Sequence, residues 1–326
     1  MTGEIQRPVV TVLGAGEDPQ PPDFGAVVAA AEFRFADSSR ELEEVLPGSE
    51  GILVWNFRST LLQDAWHRAD SLRWVHVAAA GVDTVLFREL VESDVILTNS
   101  RGVFDRPIAE YVLGLMLLFA KGFRGTFELQ QRHEWWHRET ETLFGKRLLV
   151  VGAGSIGRTI ARLARCFGMK VDAIARAARD GDEDFGRVDT SERLDEALGT
   201  ADYVVIAAPL TAQTNRMFGA EQFRRMKPEA RLVNVGRGPI VDQPALEEAL
   251  RGGEIAGAAL DVFQEEPLPE DHPLWDAPQV YVSPHMSGDF VGWREALEEL
   301  FAENFRRWQE GEELLNVVDK KKGYAG

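Results

Sequence analysis

From residue 8 onward, short runs of consecutive apolar residues alternate with stretches whose apolar positions recur every three or four residues. "PVVTVLG", "GILVWN", "LRWVHVAAA" and "VILTNS" have the length and β-branched content of buried strands. Between them, "AVVAAAE", "LLQDAWHRA" and "VLFRELVES" carry helical spacing. A second series begins at "KRLLVVGAG" and continues through "MKVDAIA", "ADYVVIAAP", "ARLVNVG", "IAGAALDVF" and "QVYVSP". Its helices are "IGRTIARLARCF", "SERLDEALG", "AEQFRRMK" and "QPALEEALRGG", and Gly168, Gly199 and Gly252 stand where helices favour a terminal glycine. Such alternation predicts parallel sheets covered by helices on both faces.

The expected fold class is therefore α/β, with two doubly wound parallel-sheet domains of Rossmann or flavodoxin type and a cleft between them. The amphipathic "WREALEELFAENFRRWQEG" follows the last strand and is expected to return to the first domain. That makes the first domain discontinuous, 1–103 plus 286–326, with 104–285 inserted as the dinucleotide-binding domain.

Composition narrows the function classes. The chain has 326 residues, enough for two domains, and 36 basic against 53 acidic side chains give a net charge of −17. That charge argues against a nucleic-acid surface, which needs a basic stripe. One cysteine, Cys166, permits no intramolecular disulfide. "YVLGLMLLFA" is too short to span a bilayer, and "MTGEIQRPVV" shows no signal-peptide pattern, so a cytoplasmic protein is expected. The acidic segments "EDPQPP" at Glu17 and "DGDED" at Asp180 read as surface loops.

The first chemical signature is "VVGAGSIG". Gly152, Gly154 and Gly157 form G-x-G-x-x-G after a strand and at the opening of a helix, with Ser155 and Ile156 in its first turn. The first glycine permits the turn, the second lets backbone approach a pyrophosphate, and the third lets helix pack on strand. A second G-x-G at Gly14 lacks the third glycine and the helix, and Glu17 and Asp18 would repel phosphate. It reads as a loop. About twenty residues after the fingerprint, an acid usually receives the ribose hydroxyls. Here "AIARAARD" places Arg176 there, with Arg179 behind it, while Asp172 falls mid-strand. A guanidinium pairs with a 2′-phosphate, so the favoured coenzyme is NADP(H) over NAD(H).

Three further residues stand at C-terminal strand ends of the second series: Arg237 in "LVNVGRGPIVD", Glu266 in "AALDVFQEEP" and His285 in "YVSPHMSG". In open α/β sheets ligands bind at that edge. A guanidinium can hold a carboxylate, and a histidine beside a carboxylate can act as acid and base near neutral pH. No His/Cys cluster has metal-ligand spacing, and no metal is expected. Trp55 ends a strand of the first series and reads equally as a pocket wall or a core tryptophan. "RHEWWHRE" reads either as a contact with a partner subunit or as a loop anchored by its tryptophans.

From about Phe104 to Gly288 the chain resembles the D-isomer-specific 2-hydroxyacid dehydrogenases, through "VGAGSIG", "APLTAQTNRMFG", "NVGRGPIVD", "GAALDVFQEEP" and "SPHMSG". "AAAGVD" at Ala78 resembles the family's substrate loop, which implies that Ala80 and Gly81 receive the substrate carboxylate through backbone N–H groups. The resemblance implies His285 as acid–base group, Glu266 as its partner and Arg237 as the substrate-orienting cation. It further implies Asp261 near the nicotinamide carboxamide, Pro209 and Thr214 on the adenine side, Val235 at the coenzyme, and a homodimer. Gly236, where Ala or Ser is commoner, is expected to loosen its turn, and Met286 to border the substrate pocket. Arg176 is similar to the NADPH-preferring glyoxylate and hydroxypyruvate reductase-like members. The implied activity is reduction of a 2-oxo acid to a D-2-hydroxy acid, and the reverse. Two other readings stand beside it: a dinucleotide-sensing binding protein of the corepressor type, and an NAD-linked phosphoglycerate-type dehydrogenase.

Overall fold

The structure, a computed structural model, describes residues 7–16, 22–277 and 279–325. Glu17 and Asp18 of the decoy turn lie outside them. The chain divides into two compact units, 1–103 with 290–326 and 104–289.

In the first unit, β1 (Val9–Leu13), β2 (Glu32–Ala36), β3 (Gly51–Val54), β4 (Trp74–Val77) and β5 (Ile96–Asn99) form an all-parallel sheet in the order β2-β1-β3-β4-β5. Its connections include α1 (Ser39–Val45), α2 (Leu61–Ala65) and α3 (Arg88–Glu92). Ser38 caps α1 by accepting the Glu41 N–H. β2, "EFRFA", lacks a continuous apolar run because this edge strand is exposed or half-buried at four of its five positions. "AVVAAAE" yields only a 3₁₀ turn over Gly25–Ala29.

The second unit opens with α4 (Asp105–Ala120) and α5 (Phe123–Gln131). There follow β6 (Arg147–Val151), α6 (Ser155–Cys166), β7 (Lys170–Ile174), β8 (Val188–Asp189), α7 (Leu194–Leu198), β9 (Tyr203–Ile206), α8 (Ala220–Arg225), β10 (Arg231–Asn234), α9 (Gln243–Gly252), β11 (Gly257–Leu260) and β12 (Val280–Val282). The seven strands are parallel in the order β12-β11-β10-β9-β6-β7-β8, so direction of winding reverses between β6 and β9. That switch point opens a crevice at the carboxyl ends of β6 and β9. β9 and β11 are buried throughout, and β10 is buried from Leu232 on, as a sheet covered on both faces requires. Two apolar layers cover it, one of which includes Ile108, Val112 and Met116 of α4, whose helix packs on α6. Of the glycines expected to end helices, Gly168 is left-handed (φ 76°), Gly252 is the last residue of α9 with Gly253 (φ 69°) as its left-handed cap, and Gly199 caps α7 in a right-handed conformation.

After the second unit, α10 (Trp293–Glu310) packs in the first unit. It buries Leu297, Phe301 and Phe305, each contributing roughly 1.5–3 kcal/mol. Phe301 stacks on Trp74 at 5.4 Å. A short antiparallel pair, β13 (Val318–Asp319) and β14 (Tyr324–Ala325), follows. Among the described residues no helix is long and apolar enough to cross a membrane.

Candidate active site

The glycine-rich turn has the geometry its spacing implies. Gly152 has φ 110°, and a Cβ there would stand 2.6 Å from the Ala207 carbonyl oxygen. At Gly157 a Cβ would meet the Gly152 oxygen at 1.9 Å, so α6 packs closely on β6 only because the side chain is missing. Gly154 is different, with open space where its Cβ would be. An approaching phosphate therefore meets backbone at Gly154 and the N–H groups of Ser155 and Ile156 at the start of a 12-residue helix. Ser155 also donates its hydroxyl to Asp105 at 3.2 Å. These residues fit a dinucleotide pyrophosphate.

Close backbone contacts then lace the strand ends together. Gly152, after β6, abuts Ala207 and Ala208, after β9. Gly236, after β10, leaves a hypothetical Cβ 2.8 Å from the Ala208 oxygen. Gly238 would set one 1.8 Å from the Phe263 oxygen, after β11. The expectation that Gly236 loosens its turn is thus corrected, because the turn is pressed on its neighbour. It is also braced by buried Asn234, which accepts the Gly236 N–H at 3.0 Å and donates to the Arg237 carbonyl at 3.1 Å. Buried Val235 sits inside this brace, and half-buried Arg237 donates to the Gly236 carbonyl at 2.9 Å.

The chain of contacts ends at an imidazole–carboxylate pair. Glu266 Oε1 accepts the Phe263 N–H at 3.0 Å, which turns Oε2 toward His285 Nδ1 at 2.8 Å. Both side chains are one-fifth exposed, dry enough for the pair to matter and open enough for chemistry. Holding Nδ1 as the donor leaves Nε2 for proton exchange with a ligand. His285 itself is left-handed (φ 54°), an uncommon conformation for a side-chain-bearing residue. Asp261, 1% exposed, holds it there: Oδ1 accepts from Ser283 Oγ (2.6 Å) and the Met286 N–H (3.0 Å), Oδ2 from the Ser287 N–H (2.9 Å). These bonds give Asp261 a loop-positioning role that sequence spacing did not reveal. Met286 is 41% exposed beside the imidazole.

Beyond β7, the structure corrects the reading of "DGDED". Asp182 and Asp184 turn inward, with side chains 4% and 8% exposed. Asp182 takes a fork from Arg158 (3.0 and 2.8 Å) and a bond from Arg179 (2.7 Å), and Asp184 pairs with Arg158 and Arg162. The bonds from Arg158 hold the Asp182 carboxyl well below the usual carboxylate range, and Arg162 lowers Asp184. Arg158 and Arg162 at i, i+4 on α6 are the signal that could have found this. Arg176 is exposed just past the end of β7, and Asp172 is held by Arg147 at 2.8 Å. Thr214 donates to the Pro209 carbonyl at 2.7 Å and closes the turn after β9.

In the first unit, Asn99 donates to the Ala80 carbonyl at 2.6 Å and so fixes the peptide leading to half-buried Gly81. Trp55 is buried just past the end of β3 and stacks on Trp293 at 6.3 Å. In the second unit, the tryptophans of "RHEWWHRE" anchor nothing within the unit: Trp135 is fully exposed and Trp136 largely so. No group of three or more His, Cys, Asp or Glu side chains that could hold a metal occurs among the described residues.

The chain is similar to known proteins in sequence and in fold. The family model described as D-isomer specific 2-hydroxyacid dehydrogenase, NAD binding domain, matches residues 113–287. A glyoxylate reductase of Korarchaeum cryptofilum is 35% identical over 269 residues, 79% of each chain. An NADPH-dependent glyoxylate/hydroxypyruvate reductase of Sinorhizobium meliloti, solved with NADP and sulfate, superposes with a TM-score of 0.84 at 28% identity, covering 98% of this chain and 100% of that one. A D-isomer-specific 2-hydroxyacid dehydrogenase of Xanthobacter autotrophicus, solved with NADPH, gives 0.82 at 29%, covering 97% and 99%. With two parallel α/β sheets, a dinucleotide turn and an imidazole–carboxylate pair at one sheet edge, the chain belongs to the D-isomer-specific 2-hydroxyacid dehydrogenases, enzymes that use a nicotinamide dinucleotide.

Proposed function

We propose that the protein reduces a 2-oxo acid to the D-2-hydroxy acid, and catalyses the reverse, with NADP(H) preferred over NAD(H). The observation that carries the reading is His285 Nδ1 held at 2.8 Å by Glu266, at the sheet edge that the dinucleotide turn shares. Unit 104–289 is assigned the coenzyme, and unit 1–103 with 290–326 the substrate. Gly152, Gly154, Ser155, Ile156 and Gly157 hold the pyrophosphate, Pro209, Thr214 and Val235 flank the nucleotide, and Arg176 takes the 2′-phosphate. The coenzyme supplies or accepts the hydride.

Arg237 holds the substrate's carboxylate and polarises its carbonyl. His285, protonated and supported by Glu266, gives its Nε2 proton to the carbonyl oxygen as that oxygen gains charge. In the reverse direction the neutral imidazole takes the hydroxyl proton. Met286 borders the substrate's side chain, and Trp55 supports the site from within its own unit. The exposed Trp135 and Trp136, with Phe123 and Phe127 of α5, supply an apolar surface suited to a second copy, and a homodimer is the assembly proposed.

Absorbance of the reduced nicotinamide tests the reading, with glyoxylate, hydroxypyruvate and longer 2-oxo acids each offered NADPH and NADH. Turnover with NADPH is expected, and His285→Ala should lower kcat by roughly 10²–10⁴. Coenzyme binding without turnover of any 2-oxo acid would sink the proposal.

A further inference from the structure

Two anion sites are assigned to the second unit: the α6 N-terminus for the pyrophosphate and Arg176 for the 2′-phosphate. One buried carboxylate joins the segments that carry them. Arg158 follows Gly157 directly in the first turns of α6, and Arg179 lies three residues beyond Arg176. Asp182 binds both. Its Oδ1 accepts from Arg158 Nη1 (3.0 Å) and from the N–H groups of Asp184 (3.0 Å) and Phe185 (3.3 Å). Its Oδ2 accepts from Arg158 Nη2 (2.8 Å) and Arg179 Nε (2.7 Å). The turn is closed by the Arg179 N–H on the Val188 carbonyl at 3.0 Å. A two-pronged bond from a planar guanidinium sets orientation as well as distance.

We propose that Asp182 is a positioning residue for coenzyme selection: by clamping Arg158 and Arg179 on one carboxylate it fixes the turn that presents Arg176. Discrimination between a 2′-phosphorylated and an unphosphorylated dinucleotide then depends on a residue that reaches the phosphate only through others. The inference rests on the NADP(H) reading above. A fixed turn meets the phosphate without first being ordered, and that saving is available only to the ligand that carries the phosphate. Asp184 is a second anchor on the same helix, through Arg162 Nε at 2.7 Å and Nη2 at 3.0 Å, but it does not touch Arg179.

The experiment measures Kd for NADPH and for NADH on the full chain, by calorimetry, in wild type and Asp182→Asn. The near-isosteric amide removes the charge, and Kd for NADPH should rise about tenfold while that for NADH moves by less than about twofold. Arg162→Gln, which loosens only the Asp184 anchor, should leave the ratio of the two constants unchanged. If Asp182→Asn does not fold, Arg158→Lys carries the same expectation, because an ammonium keeps the charge but cannot fork both oxygens. Equal shifts for both coenzymes, no shift, or tighter NADPH binding would overturn the proposal. The wild-type ratio separately tests the NADP(H) reading, since the proposal concerns only the change in ratio on substitution.

Discussion

Asp261→Asn is the most informative single change near the imidazole. The wild-type carboxylate is buried and receives three donors, two on Oδ1 and one on Oδ2. An amide cannot accept at both ends. With its NH₂ in place of Oδ2 it opposes the Ser287 N–H. Flipped, it opposes the Met286 N–H, while the Ser283 hydroxyl can rotate to accept. Either way at least one buried N–H loses its acceptor, costing about 1–3 kcal/mol. The loop so released carries His285 in a left-handed conformation, itself disfavoured by roughly 1–3 kcal/mol and supported by these bonds. Relaxation of that backbone moves the imbalance to the imidazole, where a 1 Å displacement costs about 10²-fold in rate. The expected result is a kcat about 10²-fold lower and a Tm several degrees lower without coenzyme, at about 2–4 °C per kcal/mol. Steady-state kinetics and a thermal melt of the coenzyme-free protein check it. A wild-type melt with only the coenzyme KM raised would refute the loop-holding role and favour a contact with the carboxamide instead.

The hydrogen bonds of each unit can be tested by one substitution apiece. Glu266→Gln keeps the shape and can still accept the Phe263 N–H, but the 2.8 Å bond to His285 loses its charge. A charge-assisted bond is worth about 1.5–3 kcal/mol, so kcat should fall roughly 10- to 10²-fold with little change in the substrate's KM. His76, fully buried on β4 between Thr98 and Ser100, has its pKa lowered to about 3 by burial. The unfolded chain takes the proton near the ordinary 6.5 and the native state refuses it, so stability is whole above that pH and is lost on acidification toward about 3. Denaturant titrations from neutral pH to about pH 5 should show a loss approaching 1.4 kcal/mol per pH unit, absent in His76→Gln. An unchanged slope in the variant would count against it.

Much of this protein was legible in local sequence, because the requirements are local. Gly157 is demanded by the Gly152 carbonyl within one turn, Gly152 by its left-handed backbone, and Arg237 and His285 stand where strands end. The returning helix α10 announced itself through its apolar stripe. What escaped depends on separation in space. Asp182 and Asp184 read as a solvated acidic run until α6 brings Arg158 and Arg162 alongside, and Asp261 finds its donors 22 to 26 positions further on. Gly236 looked like slack until the sheet order set the Ala208 carbonyl against it. Periodicity and turn chemistry act over a few residues, so sequence alone determines most of the elements, the dinucleotide turn and the candidate site residues. Which carboxylate holds which backbone is decided by strand order, and only the tertiary structure carries that.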